Sequence, residues 1–544
     1  MLTAKTCKDT KQLIAVAQNV LAESIPVKYM VPAEMLPPKS QLDVHNFPAQ
    51  SGLMSPKELQ ITETSSVDIV KAIANGEWTA EEVTVAFARR AVISHQVTNF
   101  ATEFLISDAL AHARDLDRTF KKTGRVVGPL HGLPISVKEH ISMEGRITHG
   151  SYIAWIDKIS SEDATLVKLL KKAGAVFHVR TNQPQSLMHL DCDNNIYGRT
   201  YNPFNRNLTS GGSSGGEGVS IGMKASPMGV GTDSGGSIRQ PASCNGVYGF
   251  RPTTLRLPHG GTVMPGMGQE SIRCVIGPLG QGVDDLELFM KSVLDQSPWD
   301  YDPSLVPVPW RSSMPSKNIT VGVIWDDGIV RPHPPIQRAL RETVAKLKAY
   351  GVKKVTFQPY KHDLAWKIIS ALYFPDGAAA QKDVLAEAGE MLLPLTEWAF
   401  GFSHGPLTIA ENWHWNVQRE KYRTEYHEVM KSKDVDVIIC PAYVGVAPEH
   451  GTAHYWNYTS VWNLLDHPAC VFPFGGVVDP KLDKPEFDYK PRNEQDNCEW
   501  KKYCPETFLG APIGLQVVGK RYHDEEVLAA TRVIESALRA DNLG

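Results

Sequence analysis

The residues best suited to chemistry fall between positions 211 and 239, in the run GGSSGGEGVSIGMKASPMGVGTDSGGSIR. Its glycines gather into two clusters, at 211–216 and 235–236, each beside a serine. A flexible glycine/serine linker would be monotonous and polar, whereas here Val219, Ile221 and Met223 lie between the clusters. Glycine is required where φ is positive or where the backbone must approach another group closely. Two such clusters therefore predict two tight loops converging on one small site, presenting Ser213 and Ser237. Asp233 and Arg239 flank the second serine with opposite charges. This is the pattern of a catalytic centre rather than of a surface turn.

Several chemistries compete for these residues. Ser213 formally satisfies G-x-S-x-G, the strand-to-helix turn that exposes the nucleophile of α/β-hydrolases, but the preceding NPFNRNLTS does not read as the strand that turn needs. A phosphate-cradling loop fits poorly, because Gly229 and Gly231 are followed by Ser234 where a third glycine should stand, and no G-K-[ST] occurs. Lys138 is the other unusual residue. It ends the apolar segment 133–137 rather than sitting on a polar face. One reading is a strand-end lysine whose ammonium reaches solvent. The other is a lysine drawn into a dry site, where its charged form is disfavoured and the neutral amine serves as a base, as in Ser–Lys variants of the hydrolytic triad. No metal site competes: His427-Glu428 begins like H-E-x-x-H but ends in Lys431. Trp413, His414 and Trp415 read as core or pocket lining.

The elements that must position these groups alternate between strand and helix. Helices are predicted over 10–23, 66–74, from the capping box Thr79-Ala80-Glu81-Glu82 onward, and over 164–174, 335–350, 418–432 and 524–539. Strands are predicted over 133–138, 175–179, 319–325, 352–357, 435–440 and 512–519. This alternation implies an α/β fold: one large domain with a mixed, mostly parallel twisted sheet covered by helices. Residues 1–60 read as an N-terminal helical and Pro-rich arm and 61–544 as the body, with 479–510 as a long surface loop.

Composition bounds the setting. The chain has 544 residues and a net charge of -4 with no basic block, which gives no reason to expect nucleic acid or an anionic membrane as partner. Its eight cysteines are dispersed and form no C-x-x-C pair, so free thiols in a reducing, cytoplasmic setting are expected. The sequence shows neither a secretory signal nor about 18 consecutive apolar residues, so no transmembrane segment is expected.

Taken together, GLPISVK, GGSSGGEG and GTDSGGSIRQPASCNGVYGFRPT resemble the amidase signature family. TNQPQSLMHLDCDNN precedes the glycine-rich centre, and GPLGQGVDDLELF and APIGLQVVGKRYHDEEVL follow it in the family's order, so the likeness covers most of the chain. The arm and the QSLMHLDCDN segment are nearer to the fungal acetamidase and fatty acid amide hydrolase branch. The resemblance implies a Ser–cis-Ser–Lys triad of Ser237, Ser213 and Lys138, with an oxyanion hole from the N–H groups of Ser234, Gly235, Gly236 and Ser237. It further implies Ser214, Asp233 and Arg239 as structural supports, and Leu187, Met188, Leu190, Tyr458 and Trp462 as substrate pocket. The activity implied is hydrolysis of a small-molecule amide through an acyl-enzyme, with no cofactor and no metal. Family members also leave a homodimer open. Alternatives in the same fold are an A-type subunit of a tRNA-dependent amidotransferase, which the long arm disfavours, and a catalytically silent protein, which the complete Lys–Ser–Ser set disfavours. Glu139-His140 stands after Lys138 where many members have Asp-Asn, and Ser234 where Ile or Thr is frequent. Both departures bear on pocket shape.

Overall fold

Eleven strands pair into one mixed sheet in the computed structural model, which describes residues 9–403 and 405–540. Cys7 and the outer ends of the expected segments 1–60 and 61–544 lie outside these residues. The strands are β1 (Ala101–Phe104), β2 (Pro134–Lys138), β3 (Val176–Thr181), β4 (Met228–Asp233), β5 (Tyr248–Arg251), β6 (Val275–Gly280), β7 (Thr320–Val323), β8 (Lys353–Thr356), β9 (Val437–Pro441), β10 (Ala469–Val477) and β11 (Pro512–Gly519). Their order is β1-β3-β2-β4-β6-β5-β10-β11-β9-β7-β8. Parallel pairing is confined to β3-β2-β4 and to β9-β7-β8. The five pairings from β4 through β6, β5, β10 and β11 to β9, together with β1–β3, are antiparallel. The sheet is thus less parallel than the alternation of elements suggests. Helices can connect strands that are not neighbours, and the pairing partner is a tertiary choice.

Side-chain alternation shows that both faces are covered. On β10, Cys470 and Phe472 join the large core that includes Val527 and Ile534 of the helix Asp524–Arg539, whereas Val471 packs with Ile238 and Ala242 on the opposite face. A period of two along a strand has this consequence. On β4, Met228 and Val230 enter the large core, while Gly229 and Gly231 face the other way. A Cβ at Gly229 would lie 2.0 Å from Glu217 Oε2, and one at Gly231 2.9 Å from Ser214 Oγ. The two glycines let the helix Gly215–Gly222 sit directly on the strand. The edge strand β8 is half exposed and carries Lys353 and Lys354, charges that discourage further strand pairing.

Most predicted elements form, among them the helices Ser66–Ala74 and Asp524–Arg539 and the strand Pro512–Gly519 at their expected bounds. The Thr79 capping box is closed from both sides, Thr79 Oγ1 accepting from Glu82 N and Glu82 Oε2 from Thr79 N. Two predictions change. The helix expected over 418–432 begins nine residues earlier, as Ile409–Ser432, behind a second capping box at Thr408 and Glu411. The expected loop 479–510 contains the helix Glu494–Trp500 and buries Asp483 and Asp496. Within residues 9–60 the chain lies against distant parts of the fold, Thr10 Oγ1 donating to Ala388 O (2.5 Å) and Val44 N to Pro203 O (2.8 Å).

Candidate active site

Lys138 is the last residue of β2 and is fully buried. The central position of β2, between β3 and β4, carries its side chain under the serine loops rather than out to solvent. Its Nζ lies 2.6 Å from Ser213 Oγ and 3.0 Å from Thr232 Oγ1. Burial pulls the amine from 10.5 down to about 8, because an ammonium ion is poorly solvated there. The peptide bond Gly212–Ser213 is cis.

The loop bearing Ser213 is held by close backbone approaches. Gly212 N donates to Gln240 Oε1 (2.9 Å), and a Cβ at Gly212 would meet the carbonyl oxygens of His189 and Asp191 at 2.4 Å. No larger residue fits there. Ser214 N donates to Ser237 O (3.0 Å), which ties the first glycine loop to the second. Ser214 also braces the end of β4, its Oγ accepting from Thr232 N (3.2 Å).

Asp233 and Arg239 support the second loop from beneath. Both are wholly buried. Arg239 Nε and Nη2 donate to the two oxygens of Asp233 at 3.0 and 3.1 Å. The same carboxylate accepts from Gly236 N (2.9 Å), Ile238 N (3.1 Å) and Asn463 Nδ2 (2.8 Å). Burial alone would raise Asp233, but the Arg239 charge and these donors outweigh it and hold the group far below the usual carboxylate range. The turn from Asp233 to Ile238 is therefore fixed around an anion. This revises one member of the expected oxyanion hole: the Gly236 N–H already serves Asp233. The N–H groups of Ser234, Gly235 and Ser237 have no protein acceptor among the described residues. Gly236 is needed for its conformation instead, with φ at +128° and a Cβ position only 2.3 Å from Thr459 Oγ1.

Two further groups surround Lys138. His140 Nε2 lies 3.0 Å from Thr232 Oγ1 and its Nδ1 3.3 Å from Val263 O. Thr232 accepts from Lys138, so its own proton points to His140 Nε2, and the imidazole carries its proton on Nδ1. Burial and the neighbouring Lys138 push His140 well below its ordinary value, and the ring is neutral. Glu217 accepts from Ser136 Oγ (2.6 Å) and Thr181 Oγ1 (2.7 Å), and burial pushes it up to about 7.

A cleft of about 990 Å³ reaches the second loop, lined near it by Ser186, Met188, Ser234, Tyr373 and Cys274. Of the five pocket residues expected, the cleft includes Met188, whose Sδ is 3.8 Å from Ser234 Oγ. Leu187, Leu190, Tyr458 and Trp462 are instead buried side chains outside its lining. Tyr458 donates to Val330 O (2.5 Å), and Trp462 stacks on His467. The helix Asn457–Leu465 turns a different face to the serine loop. Thr459 and Asn463, one residue on from Tyr458 and Trp462, touch the serine loop, Thr459 Oγ1 donating to Gly235 O at 2.6 Å. A shift of one residue turns a helical side chain by about 100°, a rotation that apolar character alone does not fix. Ser186 and Leu187 have φ of 63° and 61°, the backbone strain that accompanies functional loops.

Comparison with known proteins accords with this geometry. The sequence model of the family described as Amidase matches residues 82–528. An acetamidase of Emericella nidulans is 40% identical over 97% of this chain and 98% of its own. An acetamidase of Aspergillus oryzae is 38% identical over 91% of this chain and 93% of its own. A solved structure of a fatty acid amide hydrolase superposes with a TM-score of 0.95 at 42% identity, covering 98% of this chain and 95% of that one.

Proposed function

This chain belongs to the amidase signature family and is an amide-hydrolysing enzyme, and from that premise we propose that it cleaves carboxamides by acyl transfer through Ser237, Ser213 and Lys138. With Lys138 neutral, Ser213 Oγ–H donates its proton to the amine lone pair across the 2.6 Å contact. Ser213 in turn takes the proton of Ser237 as Ser237 Oγ attacks the amide carbon. The carbonyl oxygen becomes an oxyanion, received by the free N–H groups of Ser234, Gly235 and Ser237, donors already in place before charge develops. The tetrahedral adduct collapses as the C–N bond breaks and Ser213 delivers the proton to the departing nitrogen, drawing one back from Lys138. Water then enters by the same relay in reverse and releases the acid from the acyl-enzyme.

The observation that carries this reading is the contact of a wholly buried lysine with Ser213, on a loop whose next residue is bonded to Ser237. A lysine placed for stability alone would reach a carboxylate or solvent. Thr232, His140 and the Asp233–Arg239 pair act as positioning residues. The test is acid release from primary amides of increasing acyl length, by the wild type and by Ser237→Ala. Turnover abolished in the variant is expected, and the length optimum distinguishes short acyl groups from long ones. Turnover by Ser237→Ala at the wild-type rate would overturn the assignment.

A further inference from the structure

The cleft is not uniformly apolar along its length. The helix Ile409–Ser432 presents Asn412, Asn416, Arg419 and Arg423 to it at steps of four, three and four residues, one polar stripe along one helical face. Arg521 lines the same end, with Asp466 and the buried Arg251 behind it. Four guanidiniums share two carboxylates there. Asp466 receives Arg251 Nη2 (2.9 Å) and Arg521 Nε (2.7 Å), while Glu420 receives Arg419 Nε (2.9 Å) and Arg423 Nη1 (2.8 Å). Of the other two acids of the lining, one is paired with a cation and the other is held by backbone N–H groups that leave its charge uncompensated. Glu270 pairs with Arg273 at 3.0 Å, and Asp376 accepts from Ala378 N and Ala380 N. The four guanidiniums exceed Asp466 and Glu420 by two positive charges, one of which Asp376 offsets within the cleft as a whole, and donors are left over with them. Arg521 has no bond beyond its Nε among the described residues, and Arg423 uses Nε on Leu464 O and Nη1 on Glu420, leaving Nη2 free.

We propose that this end of the cleft is a carboxylate subsite, so that the preferred substrates are amides whose acyl group carries a second, ionised carboxyl group at its far end, the monoamides of dicarboxylic acids. This rests on the amide-hydrolase reading of Ser237. A planar guanidinium matches a carboxylate in shape as well as charge: the free Nη1–Nη2 edge of Arg521 can take both oxygens, and Arg423 Nη2 adds a further donor. The subsite is joined to the reaction centre through one helical turn: Asn463 bonds Asp233 beneath the serine loop, and Asp466, three residues on, bonds Arg251 and Arg521. Leu255, Leu257 and Met264 of the lining offer the apolar surface a methylene spacer needs.

The experiment compares each ω-carboxy primary amide with the uncharged alkanamide of the same length. In the wild type, the ratio of kcat/KM values is expected to favour the carboxylate by roughly tenfold to a hundredfold at the best spacer length, the range of one hydrogen-bonded charge. In Arg423→Met and in Arg521→Met that ratio is expected to fall towards one. Each ratio is taken within one protein, so a reduced folded fraction cancels. Calorimetric binding of the same pairs to Ser237→Ala needs no turnover. Tighter binding of the anionic member there, with no turnover by the wild type, supports the subsite and counts against the hydrolase reading alone. Equal ratios in wild type and variants, or a preference for the neutral chain in both assays, overturns the subsite.

Discussion

Replacing Lys138 by methionine separates the cost of burying an amine from the use made of it. Burial brings the lysine from 10.5 to about 8. Below pH 8 it is protonated in both the folded and the unfolded chain, and the folded state bears the full cost of a buried ammonium. Between about pH 8 and 10.5 the unfolded chain holds the proton and the folded chain does not. Stability therefore rises with pH across that window, by ~1.36 kcal/mol for each pH unit. A drop from 10.5 to about 8 corresponds to about 3 kcal/mol. Lys138→Met has no proton to lose. The stability of the wild type relative to the variant is thus expected to climb by about 3 kcal/mol from neutral pH to the upper end of the window. The bonds lost to Ser213 and Thr232 add an offset that does not depend on pH, and surface groups common to both proteins cancel in the difference. The assay is denaturant unfolding of both proteins at successive pH values, with kcat/KM measured alongside. Wild-type activity is expected to rise about tenfold per unit towards pH 8 and then level off, with negligible activity in the variant. A stability difference that stays flat with pH would mean that Lys138 is not held neutral, and the base role would fall with it.

Two further predictions concern the serine loop. Gly236→Ala introduces a methyl into Thr459 Oγ1 at a backbone angle that L-residues avoid, and it is expected to lower kcat by about a hundredfold or more by displacing the oxyanion donors. Initial rates on material shown to be folded by circular dichroism check this, and retained activity would show that the loop tolerates displacement. Asp233→Asn leaves Arg239 buried without its counter-ion and is expected to cost about 3–5 kcal/mol of stability. Urea unfolding reads that loss, and a change under about 1 kcal/mol would show the pair to be dispensable.

Chemistry was legible in the sequence wherever it depends on residue type at short spacing. Ser213, Ser237 and the glycines that let backbone approach backbone stand within one run of 29 residues, with Lys138 at the end of an apolar strand. Local rules also placed a helix behind a closed capping box and strands on short apolar runs such as 133–138, 435–440 and 512–519. What they left out depends on contacts between residues far apart in the chain. The antiparallel middle of the sheet is a choice among strand partners that no single strand encodes. Thr459 and Asn463 reach the serine loop across more than two hundred residues. The face of their helix was decided by what packs against it, since Tyr458 and Trp462 are as apolar as any pocket lining. The stripe of Asn412, Asn416, Arg419 and Arg423 has a helical spacing visible in the sequence, yet only the fold sets it opposite a cleft. The sequence by itself determined which groups are the candidates for reaction and the backbone freedom they require, because both are properties of residue types. The tertiary structure decided which water is excluded, which N–H groups stay free and which charges are left over, because desolvation and pairing belong to the assembled molecule.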